Sequence, residues 1–174
     1  MDKIIILGID PGYYITGYSI IKYKNKKIRI IKLSQLIQKN NNNNNIKIYN
    51  IYKYTYFLIK KYNPNKIIIE RPFLGKNIKT LIKLSKIQTI FILLAIKFNI
   101  KIIKYYPKQI KYLLTNKGNS NKKDIFNFLN KIKFYNKKKI YLNIKNTDIN
   151  DSLAIALSYI KKKYIKNFSF VEKK

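Results

Sequence analysis

An uninterrupted run, Ile4-Ile5-Ile6-Leu7-Gly8-Ile9, carries no polar side chain and ends on a carboxylate, Asp10. A half-exposed strand alternates apolar and polar residues. A run without alternation suits a strand buried on both faces, in a sheet covered by helices on each side. A second short run, Ile67-Ile68-Ile69, ends the same way, on Glu70. Two such strands restrict the chain to an α/β architecture. The residues that close them fall where open α/β sheets collect ligands and catalytic groups. If the two strands are parallel neighbours, Asp10 and Glu70 meet.

The rest of the chain supplies the covering elements. Pro11-Gly12 makes a turn. Residues 15–23 and 27–34 are rich in β-branched and aromatic side chains around Lys24-Asn25-Lys26, which predicts a β-meander. Asn40 to Asn45 is an unbroken asparagine run and reads as a loop. A helix is predicted over 46–62, ended by Asn63-Pro64, then a short strand over 66–70. Residues 77–98 form a long helix that is apolar on more than one face, wider than a one-sided surface helix needs. A strand over 100–104 follows. A short helix begins at Pro107, where proline suits the first turn. Residues 116–121 make a polar loop, 122–132 a helix and 135–146 a basic loop. The last helix runs from Asp148 to about Lys163, with Asn146 or Thr147 as its cap.

The charge balance makes the acids conspicuous. Against 38 Lys and Arg there are 7 Asp and Glu in 174 residues, a net charge of +31. Part of this is compositional, because Ile, Lys, Asn, Tyr and Phe all have AT-rich codons. The surface still suits a polyanion such as nucleic acid. Asp2, Asp124 and Glu172 lie at the termini or among lysines and read as solvated surface. The other four are Asp10, Glu70 and the D-x-x-D pair Asp148 and Asp151, which opens an apolar helical pattern. Residues three apart share one face of a helix, and a helix N-terminus favours negative charge. Taken singly, each has a plain structural reading: a turn, a strand-end ion pair, a helix start. Taken together, four clustered carboxylates cannot all stay ionised without cations. Two divalent ions about 3.5–4 Å apart would satisfy them.

The inventory narrows the chemistry further. With no cysteine, disulfides and thiolate zinc sites are excluded. With no histidine, the usual general base and His-ligated metals are excluded too. Magnesium or manganese on carboxylate oxygens fits what is left. The first apolar run is too short for a leader. The longest apolar stretch, Ile87 to Ile96, is too short to span a bilayer. A soluble, cytoplasmic protein of one domain is therefore expected.

The motifs resemble those of the RuvC family of Holliday-junction resolvases, in the RNase H-like superfamily, along about residues 4–160. Gly8-Ile9-Asp10-Pro11-Gly12 with Thr16-Gly17-Tyr18 is similar to the family's first strand and turn. Ile69-Glu70-Arg71-Pro72-Phe73 with Lys76-Asn77 resembles its second motif. Gln109-Ile110-Lys111, and Gly118-Asn119 with Lys122, resemble its basic DNA-contacting stretch. Asp148 to Ala156 resembles its D-x-x-D-(A/S)-L-A-I-A helix. The chain departs from the family in having Ile, Lys and Asn where relatives have Ala, Gly and Arg, and in its asparagine run.

The resemblance implies an RNase H-like five-stranded mixed sheet flanked by helices. It implies a nuclease domain over 1–164 with a basic tail over 165–174. It also implies a homodimer that nicks two symmetric strands of a four-way DNA junction in recombination and repair, leaving 5′-phosphate and 3′-hydroxyl ends. Asp10, Glu70, Asp148 and Asp151 would be the catalytic carboxylates and the ligands of two magnesium ions, with manganese as a substitute. Phe73 would stack on bases, and Lys76, Lys111 and Lys122 would contact DNA. The 77–98 helix would contribute to the dimer interface. A branch-migration motor stays open as a partner. Two other readings also stay open: another RNase H-like nuclease (YqgF-type, or acting on RNA–DNA hybrids), and a basic nucleic-acid-binding protein without catalysis.

Overall fold

The first apolar run becomes the middle strand of a sheet. A computed structural model of the chain describes residues 3–39, 43–72, 78–136, 142–143 and 145–164. Their elements are β1 (Ile4–Asp10), β2 (Ile15–Lys24), β3 (Lys27–Ile37), α1 (Asn44–Tyr62), β4 (Lys66–Glu70), α2 (Ile78–Lys97), β5 (Lys101–Tyr105), α3 (Pro107–Thr115), α4 (Lys122–Lys131) and α5 (Thr147–Tyr164). The strand order is β3-β2-β1-β4-β5. The strands β1, β4 and β5 are mutually parallel, and β2 is antiparallel to both its neighbours. This is the five-stranded mixed α/β sheet that was expected.

Helices cover both faces, as the lack of alternation requires. On one face Ile6, Ile21 and Ile68 pack with Leu153, Ala154 and Leu157 of α5, joined by Ile110 of α3 and Leu129 of α4. On the other, Leu7, Ile9, Ile67 and Ile69 pack with Ile51 and Leu58 of α1 and Phe91 and Leu94 of α2. Each fully buried aliphatic side chain of this kind contributes about 1.5–3 kcal/mol. Strand periodicity then assigns the carboxylates. Asp10 shares the face of Ile6, and Glu70 that of Ile68, so both strand-end acids point toward the α5 layer.

Local sequence explains the boundaries, with two corrections and one addition. The asparagine run does not remain a loop to Asn45: α1 starts at Asn44, and the Asn43 side chain accepts from the Asn45 backbone N–H. Asparagine is among the best N-caps, so a run of it supplies a helix start as readily as a loop. Residues 40–42 lie outside the described residues. The strand read over 27–34 continues to Ile37. Asp124 is exposed, as read, and has a task besides: its side chain accepts from the Asn121 N–H while the Asn121 side chain accepts from the Asp124 N–H, each at 2.9 Å. That reciprocal pair caps α4. The final helix begins at Thr147, and the Asn146 carbonyl accepts from Asn150 at the cap position. Among the described residues no helix is long and apolar enough to cross a membrane.

Candidate active site

The register of the sheet brings the first two acids together. Ile9 pairs with Ile69 across the parallel β1–β4 ladder, so Asp10 and Glu70 follow side by side at the strand ends. On its other flank Asp10 lies opposite Gly17 of β2. The start of α5 sits directly on this spot, because two glycines leave room for its backbone. A Cβ at Gly17 would run into the Asp148 carbonyl, and one at Gly8 into the Ser152 carbonyl and the Ala156 side chain. The buried Ser19 hydroxyl fastens the seam by donating to the Ser152 carbonyl at 2.8 Å. Asp148 and Asp151, from the first turns of α5, are thereby brought over the strand ends that carry Asp10 and Glu70.

The electrostatics show four acids in one field. Burial pushes the Asp10 carboxyl well above the carboxylate range, and the charges of Asp151, Glu70 and Asp148 push it further, against Lys122. Glu70 is pushed up to about 7, first by burial and then by Asp151, with Lys111 and Lys122 opposing. Asp151 is also raised, by burial foremost. Its oxygen lies 3.5 Å from the Lys122 ammonium. Burial and like charge thus both favour the protonated forms, as expected of acids gathered for a task.

The site opens into two clefts that meet at Glu70. One, of about 260 Å³, is lined by Asp10, Pro11, Arg71, Pro72, Leu84 and Gln88 among others. The second, of about 190 Å³, lies between α3, α4 and α5, with Lys111, Asn121, Lys122 and Asp151 in its wall. Lys111 and Lys122, selected from the sequence, therefore stand beside the acids. Phe73 and Lys76 lie outside the described residues.

The donor set suits a hard divalent cation, being carboxylate oxygen in a chain without histidine or thiol. A cation would also reverse the repulsion that raises Asp10, Glu70 and Asp151. Among the described residues, however, no three such side chains form a ready-made ion cage. The acids share a field and a pair of clefts, and Lys122 occupies one oxygen of Asp151.

Two features of the wall escaped the sequence reading. Arg71 lies over the Tyr106 ring, 4.8 Å from its centroid, and donates to the Tyr106 hydroxyl. Gln88 accepts from Lys104 at 3.0 Å and faces the cleft from α2. The signal for Gln88 was present, as a polar break in the apolar stretch of the long helix, but nothing local says which wall that break faces.

Comparison with known proteins gives the family. The chain is 35% identical over 163 residues to the crossover junction endodeoxyribonuclease RuvC of Brachyspira hyodysenteriae, covering 94% of this chain and 98% of that one. It is 35% identical over 159 residues to the RuvC of Christiangramia forsetii, covering 89% and 78%. In fold it is similar to Thermus thermophilus RuvC, with a TM-score of 0.77 at 19% identity over 90% of this chain and 93% of the other. The same Thermus protein in complex with Holliday junction substrate gives 0.76 at 18% identity over 91% and 94%. The family model described as crossover junction endodeoxyribonuclease RuvC matches residues 6–159, and the chain belongs to that family.

Proposed function

We propose that this chain resolves four-way DNA junctions by paired symmetric nicks, using Asp10, Glu70, Asp148 and Asp151 as its catalytic carboxylates. One observation carries the reading. Of the five carboxylates among the described residues, four share one electrostatic field at the strand ends, and the fifth, Asp124, caps a helix. A chain of net charge +31 that concentrates its acids in one place is built to hold cations there.

Family membership supports a metal-dependent nuclease. The four carboxylates would hold two magnesium ions, or manganese in their stead, and such ions would supply a water of lowered pKa and charge to offset that of the attacking and leaving oxygens. The residues do the rest. Asp10, whose carboxyl feels the charges of all three others, would be the ligand they share, and Glu70 lines both clefts. Lys111 and Lys122 hold the scissile phosphate against the acids and offset its charge. Water adds to phosphorus in line as the bond to O3′ breaks, giving a 5′-phosphate and a 3′-hydroxyl. Phe73 would stack on unpaired bases at the junction centre, and Lys76 would contact the DNA.

Residues 1–164 act as the nuclease unit, with 165–174 as a basic tail. A homodimer supplies the two symmetric nicks. An exposed row on α2, Ile78, Ile82, Leu93 and Ile96, between 50% and 71% accessible, supports contact along that helix. The decisive experiment incubates the protein and magnesium with a four-way junction, a linear duplex and an RNA–DNA hybrid, with Asp10→Asn as control. Paired nicks on the junction alone, absent in the variant, are expected. Cleavage of the hybrid without the junction would overturn the substrate. Tight junction binding without cleavage in either metal would leave a binding protein instead.

A further inference from the structure

The turn from Asp10 into β2 carries two adjacent tyrosines, and one of them is held out to solvent by a dedicated support. Tyr14 is 49% exposed. Tyr13 meets it edge to face, with centroids 5.2 Å apart and planes at 88°. The ammonium of Lys47, from α1, lies 4.5 Å from the centre of the Tyr14 ring and 5.1 Å from that of Tyr13. Lys47 is only 3% exposed. A lysine so buried is ordinarily paired with an acid. Among the described residues no carboxylate pairs with it, and the two aromatic rings take that role.

The backbone around this cluster is fixed as well. The Gln38 N–H donates to the Tyr14 carbonyl at 2.8 Å. The Gln38 amide donates to the Lys47 carbonyl at 3.0 Å and accepts from Asn50 at 3.2 Å. The Tyr13 hydroxyl donates to the Asn44 side chain, and Lys83 of α2 lies 4.9 Å from the Tyr13 ring centre. Tyr14 is therefore a rigid aromatic ring with a cation on one side and solvent on the other. It stands on the turn whose Pro11 lines the cleft with Asp10.

We infer that Tyr14 is a stacking platform for a nucleobase of the strand being cut. The inference rests on the nuclease reading for the placement of that strand, since a phosphate over Asp10 brings its neighbouring bases to this turn. A fixed ring suits the task because every base has a π-face and little conformational freedom is lost on contact. The contact is consequently tolerant of sequence.

The test uses the full chain, free of metal, and four-way junctions carrying 2-aminopurine at single successive positions through the core. Wild-type protein quenches the probe at the stacked position. Tyr14→Leu loses the quench there and weakens junction binding by about 5- to 150-fold, the range for one lost base–aromatic stack. Tyr14→Phe retains both, because the ring face and not the hydroxyl makes the contact. A wild-type quench map in Tyr14→Leu overturns the inference, and so does a Tyr14→Phe variant that behaves like the leucine. Cleavage in magnesium is scored separately. A chain that quenches through Tyr14 but never cuts overturns the nuclease reading and leaves the stacking in place. A chain that cuts, with the same map in Tyr14→Leu, overturns the stacking alone.

Discussion

Raising the pH loosens the metal-free protein, and the effect has a calculable size. The chain has no histidine and no cysteine. Between pH 5 and 8 the titrating groups are therefore displaced carboxylates and the amino terminus. Glu70 is pushed from the ordinary 4.5 up to about 7 by burial and the charge of Asp151. The folded state thus holds the Glu70 proton more tightly than the unfolded chain does. Its stabilising contribution is complete below about 4.5 and is lost as the pH rises through about 7. From pH 5 to pH 8 the loss is about 2.5 kcal/mol from Glu70 alone, and Asp10, also raised, acts in the same direction. For a chain of this length that corresponds to a melting temperature about 5–10 °C lower at pH 8 than at pH 5. Calorimetry in chelator at fixed ionic strength reads this directly. Glu70→Gln should flatten the slope, leaving the part carried by Asp10 and Asp151, and melt higher than wild type at pH 8. Magnesium or manganese at pH 8 should recover part of the loss in the wild type. A flat or rising melting temperature from pH 5 to 8, or an unaltered slope in Glu70→Gln, would refute the claim that these acids are held half-buried in one field.

Other perturbations separate the seam, the cap and the surface charge. Gly17→Ala sets a methyl against the Asp148 carbonyl and should cost about 1–3 kcal/mol in chemical denaturation. Its junction cleavage should fall further than that loss explains. Gly118→Ala, whose added Cβ would meet only the Lys108 carbonyl at 3.7 Å, should leave the stability unchanged. Asn121→Ala breaks the reciprocal cap of α4 and should cost about 1 kcal/mol by urea melts, with weaker cleavage because Lys122 is the next residue. Moderate salt should raise the melting temperature, by screening a net charge of +31, while weakening DNA binding measured by anisotropy. A melting temperature that falls with salt would refute the self-repulsion.

The strand ends were legible because burial on both faces leaves a one-dimensional mark. Ile4 to Ile9 and Ile67 to Ile69 can be read without knowing what covers them, and the acids that follow stand out in a chain so short of acids. The D-x-x-D pair was legible through helical spacing. What could not be read depends on neighbours remote in the chain. Nothing local announces that Lys47 is buried against two tyrosines, since in a lysine-rich chain it looks like any surface cation. Asp124 sits among lysines and is solvated as read, but its exchange of hydrogen bonds with Asn121 is seen only in the structure. The start of α1 was misplaced because an asparagine run serves equally as loop and as cap.

The seam between α5 and the sheet has a consequence for how such a site endures. Gly8 and Gly17 bring α5 against β1 and β2 through main-chain atoms and the smallest side chains. The spacing between the acids of the strands and the acids of the helix is thus fixed by peptide geometry, which is the same whatever residues surround it. The apolar layers can be rewritten in isoleucine and the surface in lysine and asparagine without moving those acids apart. A chain under heavy compositional pressure can exchange most of its other residues and keep the spacing of these acids, provided that two hydrogens stay where a methyl group would not fit.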